Sequence, residues 1–318
     1  MRVIVVGAGL SGLVTARGLA AAGHDVTAFD KGRSPGGRLA TRRVGDARFD
    51  HGAQFFTVRS DPLAAQVADW QRRGLTHVWC EGFSGESDGH PRYVATAGMS
   101  SLAKDLAAGL DVRCAALVFT IRHGDGARAW DVTLDDGGVH PADAVIMTCP
   151  LPQTFSLLFE AGVELPIELF GDDYDRTLAL LVVLDAPSAV PPPGGIQADA
   201  LDGTMFTFVG DNQAKGVSPV PALTVHASPA WSEQHWDDDR AETHAALLAA
   251  ARPWFGGAGV VTSQVKRWRF ATPRRPWPEP CWTSEDGTLV LAGDAFAGPR
   301  VEGAYVSGLA AARALAGD

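Results

Sequence analysis

Cysteine is sparse in this sequence, 4 in 318 residues. Cys80, Cys114, Cys149 and Cys281 are scattered, with no CxxC pair and no metal-ligand spacing. That pattern argues against a disulfide framework or a metal site and fits a reduced, cytoplasmic setting. No apolar run approaches the length of a membrane-spanning helix. The opening Met1-Arg2-Val3-Ile4-Val5-Val6 is too short for a signal-peptide core and reads as a buried strand. Positive charge is in deficit, 27 basic against 37 acidic residues and a net charge of −10, which argues against nucleic acid or an anionic membrane as partner. Tyrosine occurs only 3 times, as Tyr93, Tyr174 and Tyr305. There is no internal repeat, and the one low-complexity stretch, residues 186–195, reads as a loop around Pro191-Pro192-Pro193. What is plentiful is apolar side chain, 46% of the sequence. That suffices for a sizeable core, in a length suited to one large domain or two smaller ones.

Residues 2–6 form a continuous β-branched run, as in a strand covered on both faces. Residues 11–22 pattern as a helix with Gly23 at its C-terminal end, and 26–29 as a strand ending at Asp30. This β-α-β unit has the size of a dinucleotide half-fold. Further on, 61–74 reads as an amphipathic helix, 76–95 as short strands and turns, and 100–109 as a serine-capped helix. Strands are expected at 112–115, 118–122, 130–134 and 144–147. Residues 151–270 mix helices with strands at 179–184, 205–209 and 223–227, and 238–251 reads as a helix. A buried strand at 288–292 and a closing helix at 303–316 return the chain to its first layer.

Gly7-Ala8-Gly9-Leu10-Ser11-Gly12 is a GxGxxG turn in the setting that gives the string meaning. It follows a strand and opens a helix. Gly7 permits the tight turn, Gly9 removes a side chain where a pyrophosphate approaches, and Gly12 allows close helix–strand packing. The N–H groups opening the helix at Leu10 and Ser11 face the phosphates with a partial positive charge. Asp30 lies about twenty residues on, where an acid accepts a ribose hydroxyl.

The segment after the acid, Lys31-Gly32-Arg33-Ser34-Pro35-Gly36-Gly37-Arg38, resembles that of FAD-binding proteins of the amine-oxidase and glutathione-reductase type. The resemblance implies a Rossmann-type FAD-binding domain of α/β class, like that of glutathione reductase and p-hydroxybenzoate hydroxylase, with an inserted mixed-sheet α+β substrate domain. It places Lys31, Gly37 and Arg38 at the cofactor, the arginine on phosphate and ribityl chain through its forked donors. Leu289-Val290-Leu291-Ala292-Gly293-Asp294 resembles the C-terminal FAD motif, which puts Gly293 and Asp294 at the ribityl hydroxyls and Gly303 in the helix aimed at the flavin. Val118 falls where a backbone contact holds the adenine end. The domains expected are 1–57, 95–150 and 271–318 for non-covalently held FAD, and 58–94 and 151–270 for substrate.

Asp50-His51-Gly52-Ala53-Gln54-Phe55-Phe56-Thr57, with residues 93–99, Arg267-Trp268-Arg269-Phe270-Ala271 and Gly293-Asp294, resembles renalase and its bacterial relatives over nearly the whole chain. This implies that Ala53 and Gln54 lie beside the isoalloxazine. It also implies oxidation of 2-dihydro and 6-dihydro isomers of NAD(P)H, with dioxygen reduced to hydrogen peroxide. A dihydropyridine needs stacking at the flavin more than it needs a base. Trp268 and Phe270, with Trp277 and Trp282, are either the rings that sandwich the nicotinamide or interface packing. Arg267, Arg269, Arg274 and Arg275 either meet the substrate pyrophosphate or form a solvated patch. His226 and His235 are candidate pocket residues. Two other functions stand beside this one: a conventional flavin amine oxidase, whose tyrosine pair is not legible here, and a non-catalytic FAD-binding regulator. Cys281 has no attachment motif around it and reads as an ordinary thiol.

Overall fold

The computed structural model describes all residues except 84–88, 127, 172, 198–200, 202–204 and 318. The chain divides into two compact units, 1–39 with 102–173 and 273–318, and 40–101 with 174–272.

The first unit is built on a six-stranded sheet. Its strands run in the order Trp282–Thr283, Leu289–Leu291, Ala144–Met147, Arg2–Val6, Asp25–Asp30, Asp111–Cys114. The pairings are parallel except at the Trp282–Thr283 edge. The central strands are buried along almost their whole length, which is why they are written in Val, Ile, Leu and Met without alternation. Helix Leu10–Ala21 packs against the closing helix Val301–Ala316. Their approach is set by small residues. A Cβ at Gly308 would come 2.5 Å from the Ser11 carbonyl oxygen, and Thr15 Oγ1 donates to the Gly308 carbonyl at 3.0 Å. A three-stranded antiparallel sheet, Val118–His123, Trp130–Leu134 and Val139–Ala142, completes the unit.

The second unit is a five-stranded sheet in the order Gly195–Gln197, Phe206–Asp211, Ala222–Ala227, Tyr174–Leu184, Val260–Pro273. Side chains alternate across it with the period of two that strands impose. Leu178, Leu180, Val182 and Leu184 join Leu223, Val225 and Ala227 in the core that Leu247 and Phe255 cover. The opposite face presents Ala179, Leu181 and Val183 beside His226, Thr224 and Ala222, register partners in that order.

The unit boundaries differ from those expected. Residues 40–57 belong with the second unit, because the hairpin Thr41–Val44 with Ala47–Asp50 buries Ala47 and Phe49 against Leu181 and Ala222. Residues 151–171 belong with the first, where Glu160 accepts from Thr120 Oγ1 at 2.8 Å and Arg122 Nε at 2.6 Å. That hairpin, the helices Leu151–Leu158 and Pro229–Gln234, the strands Val139–Ala142, Gly195–Gln197 and Trp282–Thr283, and the full 14-residue strand Val260–Pro273 are among the elements the sequence pattern leaves unassigned. The other expected strands and helices are present within a few residues at each end, the largest change being Tyr174–Leu184, which starts five residues before 179. Among the described residues no helix is long and apolar enough to cross a membrane. No group of three or more His, Cys, Asp or Glu among them could hold a metal ion.

Candidate active site

Two glycines of the opening turn are demanded by the fold, and the third is not. Gly7 has φ +108°, and a Cβ there would meet Thr148 Oγ1 at 2.7 Å. At Gly12 a Cβ would sit 1.9 Å from the Gly7 carbonyl oxygen. At Gly9 a Cβ would meet nothing within 4 Å. The open space in front of Gly9, at a helix N-terminus without a side-chain cap, is what an approaching phosphate requires. Leu10 and Ser11 are buried there, and Ser11 Oγ has no hydrogen-bond partner among the described residues. Such a buried hydroxyl is costly unless something satisfies it. Asp30 ties the turn to the second strand, accepting from Ala8 N at 2.7 Å and Gly32 N at 2.6 Å. Each carboxylate oxygen keeps a second lone pair for a ribose hydroxyl. Gly36 N donates to the Ala8 carbonyl at 2.8 Å, bringing residues 31–38 over the turn. There Gly37 has φ +54°, and Arg38 reaches Asp294 with both terminal nitrogens. Gly293, with φ +133°, sets up that corner, its N–H donating to Ser307 Oγ at 2.8 Å. Gly303 is fixed by the Gly298 carbonyl oxygen, 2.0 Å from where its Cβ would be. Lys31 turns aside to Gln153 Oε1, 3.1 Å away. Val118 opens its strand, buried. Open glycine, uncapped amides, orphaned hydroxyl, carboxylate and guanidinium together fit a dinucleotide.

The second unit holds a buried polar cluster on the sheet face that the hairpin of residues 41–50 covers. Asp50 and Lys215 both have fully buried side chains and lie 3.8 Å apart, an ion pair beyond hydrogen-bond length. Asp50 also accepts from Thr41 Oγ1 at 2.7 Å and Met99 N at 2.8 Å. Burial pushes the Asp50 carboxyl up and the Lys215 ammonium down, while the pairing opposes both. Lys215 Nζ donates to Gln54 Oε1 at 3.2 Å. Gln54 Nε2 donates to the Asp50 and Gly52 carbonyls at 2.6 and 3.2 Å and faces His226 Nε2 at 3.3 Å. Burial lowers His51 to about 4, helped by Lys266, His226 and Arg42. Burial also lowers His226 to about 4. Both imidazoles are therefore neutral near pH 7.

A family model described as a flavin containing amine oxidoreductase matches residues 67–316, most of the chain. The chain belongs to this family. An NAD(P)-binding Rossmann-like domain model matches residues 5–69. The structure of a putative protoporphyrinogen oxidase from Exiguobacterium sp. 255-15 is similar with a TM-score of 0.74 and 14% identity, covering 99% of this chain and 98% of that one. A wild-type putrescine oxidase bound to putrescine is similar with a TM-score of 0.69 and 16% identity, covering 98% of each chain. A hydroxyneurosporene desaturase from Rubrivivax gelatinosus is 50% identical over 58 residues, 18% of this chain and 11% of the desaturase. The chain therefore matches only a small part of that curated relative. This flavin-containing amine oxidoreductase carries FAD on its Rossmann-like unit.

Within the family member's second unit, Trp268 Nε1 donates to the His51 carbonyl at 2.7 Å, and its ring stacks on the His51 imidazole at 5.3 Å and 24°. Phe270, two residues on, meets Tyr174 edge-on at 5.5 Å. Strand alternation places Lys266, Trp268 and Phe270 on one face and Arg267 and Arg269 on the other. Arg267 lies over the Trp236 ring at 4.4 Å, so it is a packing residue of the helix-covered side. Arg274 is in the first unit, paired with Asp173 at 3.2 Å. Trp277 and Trp282 also lie in the first unit, the former bridging Phe296 and the latter in the edge strand. His235 pairs with Asp238 at 2.7 Å, away from the cluster. Burial raises the Cys281 thiol, which disfavours its nucleophilic form. Ala53 is partly exposed in the loop between Asp50 and Phe56.

Lys215, Asp50 and the aromatic group Phe55, Trp79, Phe83 and Phe208, with neighbouring centroids 5.0–6.5 Å apart, were not legible as site residues. Lys215 sits in Gly210-Asp211-Asn212-Gln213-Ala214-Lys215-Gly216, a composition that signals a solvated turn. Nothing in that string reports that the lysine turns inward.

Proposed function

We propose that this flavin-dependent oxidoreductase oxidises 2-dihydro and 6-dihydro isomers of NAD(P)H, as renalase-like enzymes do. In balance, the dihydronicotinamide, dioxygen and a proton give NAD(P)+ and hydrogen peroxide. FAD, when bound, supplies the two-electron acceptor that dioxygen reoxidises.

The observation that carries this reading is the pair of imidazoles held near 4 in the second unit. An amine of ordinary basicity is protonated at pH 7 and must lose that proton before it can donate hydride. Moving a proton from a group near 10 to one near 4 costs roughly 8 kcal/mol. A dihydropyridine carries no such proton and donates hydride directly once its ring is stacked and oriented. Trp268 offers a partly accessible ring for that stacking, anchored at its indole nitrogen. Lys266 and Arg42, whose charges bear on His51, supply the cationic side for a pyrophosphate. Of the four arginines expected there, Arg267 lies over Trp236 and Arg274 pairs with Asp173. The tyrosines are engaged separately, Tyr93 stacked on Phe56, Tyr174 against Phe270 and Tyr305 buried in the closing helix.

The second reading is oxidation of an amine, which family membership favours. Anaerobic mixing of the yellow holoprotein with each dihydro-NAD(P) isomer, and separately with putrescine and simple monoamines, decides between them. Rapid bleaching of the flavin band by the isomers alone is expected. Bleaching by an amine and by neither isomer would overturn the proposal. No bleaching by any of them would likewise overturn it and would favour the non-catalytic flavin-binding reading.

A further inference from the structure

The orientation of the Gln54 amide is fixed by what surrounds it. Nε2 faces two carbonyl oxygens, those of Asp50 and Gly52, and Oε1 faces Lys215 Nζ. Reversing the amide would set its oxygen against two carbonyl oxygens, a repulsion that holds whatever the protonation state of Lys215. With the amide so held, its NH2 points at His226 Nε2, 3.3 Å away. An N–H on that ring nitrogen would meet another donor, so Nε2 is the bare nitrogen, the two amide hydrogens being shared among the two carbonyls and the imidazole. The proton of the neutral imidazole is left on Nδ1, and the backbone hydrogen bond with His51 that favours the protonated His226 ring has the sense of a carbonyl acceptor. The same carbonyl accepts from Trp268 Nε1 at 2.7 Å, its two lone pairs serving two donors.

We propose that His226 is a positioning residue. Held as the Nδ1–H tautomer by the Gln54 amide, it anchors the His51 carbonyl and thereby the indole of Trp268. Donation runs as a relay from Lys215 through Gln54 and His226 to the His51 carbonyl, where the indole of the partly accessible Trp268 arrives from the other side as a second donor. Lys215 serves in either protonation state, because Nζ carries hydrogens in both. The relay gives the buried lysine a task at a site that hydrophobic packing could have filled, and Asp50 is the charge that accompanies it. The use of the Trp268 face for a dihydronicotinamide rests on the function proposed above, but the relay itself does not.

The test is long-range 1H–15N NMR of the holoprotein labelled at histidine nitrogens and tryptophan indoles, with His226→Phe and Trp268→Phe used for assignment. In the wild type, His226 is expected protonated at Nδ1 and bare at Nε2 throughout pH 6–8. A proton on Nε2 overturns the proposal, even if no variant folds. In Gln54→Glu, which replaces the donor by an acceptor, a proton is expected at Nε2, and an unchanged tautomer also overturns it. The Trp268 indole N–H signal should shift in His226→Phe and return towards its original position in His226→Gln, which restores a donor. A signal indifferent to both changes breaks the link to Trp268. In turnover, His226→Phe should raise KM for the dihydronicotinamide about tenfold, the scale of one lost hydrogen bond, with kcat within about threefold. The NMR readouts involve no substrate. Failure of both isomers to bleach the flavin, with His226 still protonated at Nδ1, would therefore fell the substrate assignment and leave the relay standing.

Discussion

Arg38 and Asp294, 256 positions apart in the chain, form a two-point ion pair with both nitrogen–oxygen distances at 2.5 Å. One comes from the turn that closes over the first helix and the other from the corner after the last buried strand. The guanidinium fork and the carboxylate are matched in shape, which a lysine could not reproduce. The pair joins the two segments on which FAD binding is expected to depend. Arg38→Ala and Asp294→Ala should each weaken FAD retention by about 10- to 100-fold, the scale of one charge-assisted hydrogen bond. Arg38→Lys should recover little of it. Flavin titration of the apoprotein measures this, and an unchanged affinity in both alanine variants would count against the assignment.

Gly9 and Gly12 lie three residues apart and should respond oppositely to the same change. A methyl at Gly12 collides with the Gly7 carbonyl oxygen, whereas at Gly9 it enters open space. Gly12→Ala should therefore destabilise the folded chain by several kcal/mol through the clash. Gly9→Ala should melt like the wild type and yet lose FAD affinity, because the methyl occupies the phosphate's approach. Thermal melts of the two apoproteins, followed by flavin titration, separate the effects. A Gly9→Ala protein with full affinity would show that the pyrophosphate lies elsewhere.

Acid should destabilise the protein before ordinary carboxylates titrate. His51 and His226 are lowered by burial from 6.5 to about 4 in the fold. Between those values the unfolded chain binds protons that the folded one refuses. Stability is thus full above about pH 6.5, falls as pH drops towards 4, and levels off below. The limit is about 3 kcal/mol for each histidine. Asp50, raised by burial, works in the opposite sense, so the decisive quantity is the difference between the wild type and His226→Phe. Lys215 beside His226, and Lys266 and Arg42 around His51, are the cations that resist protonation. Urea midpoints from pH 7.5 to 4.5 should fall less steeply in the variant. Parallel profiles would mean that His226 titrates alike in the folded and unfolded chain, and so is not lowered by burial.

Removing half of the buried pair should cost more than its share. Lys215→Met or Asp50→Asn leaves a buried group without its partner, a loss of about 3–5 kcal/mol. The double variant should lose less than the sum of the two single losses, by an interaction of about 1–3 kcal/mol. A double-mutant cycle from denaturant melts measures the coupling, and strict additivity would show that the 3.8 Å separation carries none.

The sequence by itself determined the nucleotide-binding layer. Its signals are local: a β-branched run, glycines at fixed offsets and an acid closing the next strand. Each is forced by a turn, a close approach or burial on both faces within about thirty residues. The same locality made Arg38 and Asp294 recognisable one at a time, though not as partners. Tertiary structure alone decided that the hairpin around Phe49 belongs with the second sheet and that Arg267 packs on Trp236 while Trp268 meets His51. It alone turned Lys215 inward. Charge, burial and hydrogen bonding at those positions are set by contacts between segments more than 150 residues apart, as between Asp50 and Asn212 or Gln54 and Lys215. A polar residue written in a turn looks the same in sequence whether water or a buried carboxylate receives it.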